Sequence, residues 1–341
     1  MKISNIHLKQ KDISILIPTI SRPQLLLKQI NFYRQIKADF VIKICDSTKK
    51  PSRNFLNKID LLSQELNLDY YHEPNLNDRQ AIFFLIGKSI TKYSAYCGDD
   101  DFFIPKGLYS CAKYLDENKD TRVCYGKAIT VDHKSLFNLI KSIKASEYWG
   151  NHTFEKEKAE QRLDLLSENY LVNLFGVHKT KDMFDDFQMS GTIIPSRSMG
   201  EILKNYLTIA RGKGKFLKIP YLIRQTHSNR YLFPQNFIDR LVDDNYAETV
   251  PIFISALSET LKDSKSKDEA IMLSKKYMKD ILYKDLNELK LNNNKRYFSI
   301  GNIFNTIKGR IYFAFKNRLF RQSNYYKEFV KYIKIIANTK V

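Results

Sequence analysis

Apolar and polar positions along the first third of the chain alternate between two periods. Ile13-Ser14-Ile15-Leu16-Ile17 is a nearly continuous apolar run closed by Pro18, the pattern of a strand buried on both faces. Pro23 suits the first turn of a helix expected over Gln24–Lys37. Phe40–Cys45 repeats the strand pattern and ends at Asp46-Ser47. Ile59–Leu66 reads as helix and Leu68–His72 as strand. Asn77-Asp78 caps a helix expected over Arg79–Thr91, with Ile82, Leu85, Ile86, Ser89 and Ile90 turned inward. Tyr93–Cys97 is a fourth strand, and Pro105–Leu115 a further helix. This alternation predicts an α/β fold with a mostly parallel sheet flanked by helices.

Beyond Leu115 the pattern is less regular. Signals mix over Arg122–Tyr148. Helix is expected over Glu155–Leu174 and Gly200–Tyr206, strand over Leu174–His178 and Ile219–Arg224. Arg211–Lys215 reads as a basic, glycine-containing loop, mobile enough to close over an anion. From Phe237 onward the pattern is helical. Two units are expected: an α/β domain over 1–235 and a basic helical region over 236–341.

In open sheets of this class, ligands bind beyond the carboxyl ends of the strands. Pro18-Thr19, Asp46 and the run Gly98-Asp99-Asp100-Asp101 all fall at such ends. Adjacent carboxylates between apolar flanks repel one another and cost several kcal/mol each when buried unpaired. Two readings stay open for the run. A divalent cation, Mg²⁺ or Mn²⁺, neutralises it and carries a phosphate, or it is an acidic turn capping the helix that Pro105 opens.

Charge and composition narrow the class. The chain has 341 residues and a net charge of +19, from 56 Lys and Arg against 37 acidic residues, which points to an anionic partner. The four cysteines, Cys45, Cys97, Cys111 and Cys124, form no CxxC pair and read as reduced, buried thiols of a cytoplasmic protein. No signal-peptide core and no span of about 18 apolar residues is present. Residues 290–341 hold twelve Lys or Arg against one acidic residue, Glu328, a net of +11. Within them Ile300, Phe304, Ile307, Ile311, Phe315 and Leu319 recur at helical spacing, bordered by Lys308, Arg310, Lys316, Arg318 and Arg321. A basic amphipathic helix of this kind reads as an anchor to the anionic inner face of a membrane, or as a helix packed on the domain with a solvated basic face.

The segments Ile17-Pro18-Thr19-x-x-Arg22-Pro23, Cys45-Asp46-Ser47 and Gly98–Gly107 resemble glycosyltransferases of the GT-A fold, closest to the family 2 type. The shorter matches Val177–Thr180, Met199–Leu203 and Ile223–Asn229 are similar to a bacterial subgroup that assembles surface polysaccharides. The resemblance spans Ile13–Arg230 and implies transfer of a sugar from a nucleotide-diphosphate donor, UDP first, to a glycan or lipid-linked hydroxyl. It implies that Pro18, Thr19 and Asp46 hold the base and ribose. From the residues themselves, Arg22 reads as a solvated loop cation or a bidentate contact to a phosphate, and Arg79, a cation opposing the dipole at a helix start, points to an anion nearby. The resemblance implies Asp99 and Asp101 as ligands of Mn²⁺ or Mg²⁺, with Asp100 the alternative and His227 completing the site. Glu201 stands at the family's distance for an inverting catalytic base. The family's Glu-Asp base motif is absent, and Asp185-Asp186 competes for the role.

His178 reads as a core histidine, and Arg224, Gln225 and His227 as a polar cluster after a strand. Two rivals remain. A two-metal nuclease or nucleotidyltransferase requires further carboxylates converging on the run. A nucleic-acid binder would use the basic tail, but the charge sits at one end and no nucleic-acid motif accompanies it.

Overall fold

The computed structural model describes residues 12–132, 145–148, 151–190, 194–226, 245–294 and 323–340. The first half follows the alternation of the sequence. Strand β1 (Ile13–Thr19) leads to helix α1 (Pro23–Gln35), β2 (Val41–Asp46), α2 (Arg53–Glu65), β3 (Leu68–His72), α3 (Asp78–Gly87), β4 (Tyr93–Tyr96), β5 (Phe102–Phe103) and α4 (Pro105–Glu117). Then come β6 (Thr121–Asp132), β7 (Ala145–Glu147), α5 (Ala159–Glu168), a 3₁₀ turn (Asn173–Phe175), β8 (Val177–Lys179), α6 (Thr180–Ser190), α7 (Arg197–Arg211) and β9 (Lys213–Thr226). Helices α8 (Tyr246–Leu261), α9 (Lys267–Asn294) and α10 (Asn324–Asn338) follow.

The strands form one sheet in the order β3-β2-β1-β4-β8-β6-β9-β5, with β7 paired to β6. Strands β3, β2, β1 and β4 are parallel, as the alternation requires. Beyond β4 the sheet turns mixed: β8 is antiparallel to β4 and β6, β6 is parallel to β9, and β5 is antiparallel to β9.

Strand β1 shows why the run at 13–17 is apolar throughout. Ile15 and Ile17 join the core shared with α1, α2 and α4. Leu16 points the other way, into a cluster with Ala81, Ile82, Leu85 and Ile86 of α3 and Met183 and Phe187 of α6. Helices thus cover both faces, and alternate side chains of one strand serve opposite cores. Local chemistry sets the helix starts. Pro23 opens α1, Ser52 accepts the Phe55 N–H to cap α2, and Asn77 with Gln80 makes a reciprocal capping box on α3.

Several sequence boundaries shift. Helix α3 stops at Gly87, so Ile90 lies 97% exposed instead of facing inward. Helix α2 starts at Arg53, six residues before the apolar pattern begins. The basic stretch 211–215 is not a loop. Lys213 and Lys215 lie in β9 and pair with Glu157 (2.6 Å) and Glu155 (2.7 Å), so they are committed to a strand. Gly107 in α4 is required by close approach: a Cβ there would stand 2.4 Å from the Pro220 carbonyl oxygen of β9.

The C-terminal helices share the main core. Phe253 and Leu257 of α8, Tyr277 of α9, and Phe329, Ile333 and Ile336 of α10 all belong to it. Helix α10 packs against α1 and β9, and the Thr339 hydroxyl bonds Gln35 Oε1 at 3.2 Å. Its apolar face is therefore spent on the protein, while Lys327, Lys331 and Lys334 face outward. The apolar stripe from Ile300 to Leu319 lies outside the described residues. No helix among those described is long and apolar enough to cross a membrane. All four cysteines are buried and free.

Candidate active site

The carboxyl ends of β1, β2 and β4 meet on one edge of the sheet. The Ser47 N–H bonds the Thr19 carbonyl (2.9 Å) and the Cys97 N–H bonds the Leu16 carbonyl (2.9 Å), which holds the three ends in register. After β4 the chain turns through Gly98–Asp101 before entering β5. The turn is gripped from beneath by α1. Gln29, fully buried, donates from its amide nitrogen to the carbonyls of Gly98 (2.7 Å) and Asp101 (2.5 Å). The Tyr33 hydroxyl accepts the Phe103 N–H at 3.0 Å. A Cβ at Gly98 would lie 2.9 Å from Asp100 Oδ1 and 3.2 Å from Asp101 Oδ2, so any larger residue would push against those two carboxylates.

Each aspartate of the turn has its own partners. Asp99 accepts from Arg22 (2.7 Å) on one oxygen and from the Thr19 hydroxyl (2.7 Å) on the other. Asp100 accepts from the second terminal nitrogen of Arg22 at 2.6 Å. Asp101 accepts from Arg224 Nε (2.9 Å) and from the Gln225 N–H (3.2 Å). Side-chain exposure differs along the run: 4% for Asp99, 16% for Asp100 and 1% for Asp101. Burial raises Asp99 to about 7, helped by the charge of Asp100 and opposed by Arg22. Burial likewise raises Asp101 to about 6, against the pull of Arg224. Excess buried carboxylate thus makes this edge eager for positive charge.

Arg224 is held by more than its ion pair. Its guanidinium carbon lies 4.3 Å from the Phe175 ring centroid and 4.5 Å from that of Tyr148, and one terminal nitrogen bonds the Tyr148 hydroxyl. Burial works against its charge, but Asp101 outweighs it and raises the pKa.

Two neighbouring cavities share Thr19 and Arg22 in their walls. One of about 170 Å³ is lined by Pro18, Leu76, Tyr96, the aspartate turn, Arg224 and Gln225. The other, about 220 Å³, is lined by Asp46, Thr48, Pro51 and Phe55. The first also takes in Asp78, which pairs with Arg197 at 2.5 Å, so its wall carries three further carboxylates (Asp99, Asp100, Asp101) against two guanidiniums (Arg22, Arg224). That imbalance suits a divalent cation arriving with an anionic ligand. Among the described residues no three His, Cys, Asp or Glu side chains form a ready-made cage. The fit is therefore to Mg²⁺ or Mn²⁺ that keeps water and phosphate oxygens and takes one or two carboxylates from the protein. Asp100 is the most accessible of the three for that purpose.

The expected site residues divide as follows. Pro18, Thr19, Arg22, Asp99, Asp100 and Asp101 share one cavity, and Asp46 lies on the adjoining one. Both Asp46 oxygens brace the strand end, accepting from the Thr48 N–H (2.8 Å) and the Tyr70 hydroxyl (2.7 Å). Arg79 is not on the cavity wall. It donates to the carbonyls of Ile194 (2.5 Å) and Pro195 (3.0 Å), fastening the segment before α7. Glu201 sits in the first half of α7, half-buried, and its charge helps raise the Tyr148 phenol. Like Arg79, it is not on the cavity wall. His227 lies outside the described residues.

His178 is a core histidine. It is fully buried, lies 3.0 Å from both Asn173 O and Lys204 Nζ, and burial holds it well below its usual range. Asp186 is fully buried against Arg122, Arg211 and Thr208, which leaves it no route to a substrate.

Sequence reasoning missed Gln29, Tyr33, Tyr148 and Phe175. Gln29 and Tyr33 had a signal: polar groups on the helix face that also carries Leu26 and Ile30. Tyr148 and Phe175 had none, because only the fold brings them to Arg224.

No model of a known protein family matches the chain, and no curated protein matches it. Solved structures with a similar arrangement include S. aureus TarS 1–349 in complex with UDP-GlcNAc. It is 11% identical with a TM-score of 0.46, over 82% of this chain and 92% of that one. The mannosyltransferase PcManGT from Pyrobaculum calidifontis, in complex with GDP-Man and Mn²⁺, is 8% identical with a TM-score of 0.42, over 95% of this chain and 84% of that one. At such identities and scores no residue's role follows from the likeness.

Proposed function

We propose that the chain is a glycosyltransferase that moves a sugar from a nucleotide-diphosphate donor to a hydroxyl of a glycan or lipid-linked acceptor. The observation that carries this reading is the pair of neighbouring cavities that share Thr19 and Arg22 in their walls on the sheet's carboxyl edge. One is an apolar-walled slot beside Asp46 and Phe55, of a kind that takes a flat base. The other is a charged chamber of buried carboxylates and guanidiniums, of a kind that handles a diphosphate. Such a two-part site suits a nucleotide sugar better than a nuclease substrate. The rival's further carboxylate, Asp78, is already paired with Arg197 at 2.5 Å.

In this reading the base and ribose lie against Pro18, Thr19, Asp46, Pro51 and Phe55, with UDP the first candidate. Asp100 and Asp99 would hold Mn²⁺ or Mg²⁺, which when bound offsets charge on the diphosphate. Glu201 accepts the proton of the acceptor hydroxyl. The acceptor oxygen forms a bond to the anomeric carbon as the bond from that carbon to the diphosphate oxygen breaks. The electron pair stays with the departing nucleoside diphosphate, and the configuration inverts.

Two measurements test the reading. A thermal-shift screen of UDP-, GDP-, CMP- and TDP-sugars, with and without Mn²⁺, should pick out one nucleotide class, because a ligand of the folded state raises its melting point. A flat response to all of them would defeat the proposal. Glu201→Gln should then leave donor binding intact and slow transfer by about 10²–10⁴-fold. Transfer at the unaltered rate would take Glu201 out of the mechanism.

A further inference from the structure

The cavity wall holds two guanidiniums in different states. Arg22 spends both terminal nitrogens on Asp99 and Asp100. Arg224 spends Nε on Asp101 and one terminal nitrogen on Tyr148, and its other terminal nitrogen has no partner among the described residues. Its side chain is 22% exposed, whereas its counter-ion Asp101 is 1% exposed. The Phe175 and Tyr148 rings, at 4.3 and 4.5 Å, fix the guanidinium. A long cationic side chain ordinarily loses rotamer freedom when it grips a ligand. Here that ordering is already in place, and the remaining donor belongs to a residue that lines the charged chamber.

We propose that Arg224 is a resident cation for the donor's diphosphate, preset by Asp101, Tyr148 and Phe175. The inference rests on the nucleotide-sugar reading and adds a residue to it. As the bond between the anomeric carbon and the diphosphate oxygen breaks, the electron pair moves onto that oxygen. A fixed guanidinium donor beside it stabilises the new charge without reorganising. Arg224 acts alongside a divalent cation, so its contribution persists when the metal is chelated.

The test is calorimetric titration of UDP, UMP and uridine, with GDP as a second diphosphate, into the unaltered protein and into Arg224→Gln, Arg224→Lys and Tyr148→Phe. Each is titrated in EDTA and again in Mn²⁺. Arg224→Gln should weaken UDP by about ten- to a hundredfold, the worth of a charge-assisted hydrogen bond. Uridine should be unchanged, and Arg224→Lys should recover part of the loss. Tyr148→Phe keeps the cation and its ion pair but removes one anchor, so it should weaken UDP by a smaller factor. It also guards against a fold defect in the Arg224 variants. Equal UDP affinity in Arg224→Gln, or an equal loss for uridine and UDP, would overturn the role. If the unaltered protein bound neither UDP nor GDP in either buffer, the nucleotide-sugar reading itself would fall.

Discussion

Asp101→Asn should lower sugar transfer by about 10²–10³-fold, comparable to removing one preorganised stabilising group from an active site. The reason lies in what the carboxylate holds. One oxygen fixes Arg224 Nε at 2.9 Å and the other takes the Gln225 N–H at 3.2 Å. A neutral amide of the same shape loses the ion pair and must present an NH₂ to one of these donors. Arg224 then keeps its aromatic neighbours but loses its orientation. Release of nucleoside diphosphate from the donor selected by thermal shift reads the effect, and undiminished turnover would sink the assignment. The substitution also carries a pH signature. Asp99 and Asp101 titrate near 7 and 6 in the folded chain, above the unfolded carboxylate value near 4. The folded state therefore binds more protons than the unfolded state between those values. This contribution to stability is complete below about 4 and is lost as pH rises through about 6 to 7. Without ligands or metal, the melting point should fall across that window, and Asp101→Asn should flatten the part near 6.

Asp186→Ala should cost about 3–5 kcal/mol of stability, the usual penalty for deleting one partner of a buried ionic network. Asp186 is fully buried and accepts from Arg122 (3.0 Å), Arg211 (2.8 Å) and the Thr208 hydroxyl (2.7 Å). It ties β6, α6, α7 and the entry to β9 together. Removal leaves Arg211 without its counter-charge and Arg122 with Asp182 alone, at 3.3 Å. Urea denaturation measures the loss, and a transition at the unaltered concentration would contradict it. Below the new melting point, donor binding should persist, since Asp186 lies apart from both cavities. Sugar transfer at the unaltered rate in that variant would close the question of Asp186 as a catalytic base.

The legible and illegible parts of the chain differ in the range of their causes. Strands β1 to β4 and helices α1 to α4 follow from local pattern, because a strand covered on both faces must be apolar along its length. Strand β6 did not show itself. Arg122 and Lys127 interrupt its apolar pattern, and they are tolerated only because Asp186 and Glu147 reach them from elsewhere. Strand β9 looked like a loop at Lys213 and Lys215 for the same reason. Arg79 looked like an anion site because a cation at a helix start opposes the dipole, yet its partners are neutral backbone carbonyls more than a hundred residues away in sequence.

The sequence by itself determined the α/β frame and put Thr19, Asp46 and the aspartate run at strand ends, because period and punctuation are properties of neighbouring residues. Only the tertiary structure decided what those carboxylates face. The guanidinium opposite Asp101 comes from Arg224, and the rings that hold it come from Tyr148 and Phe175. Charge and π contacts act over a few ångströms of space, whatever the distance along the chain.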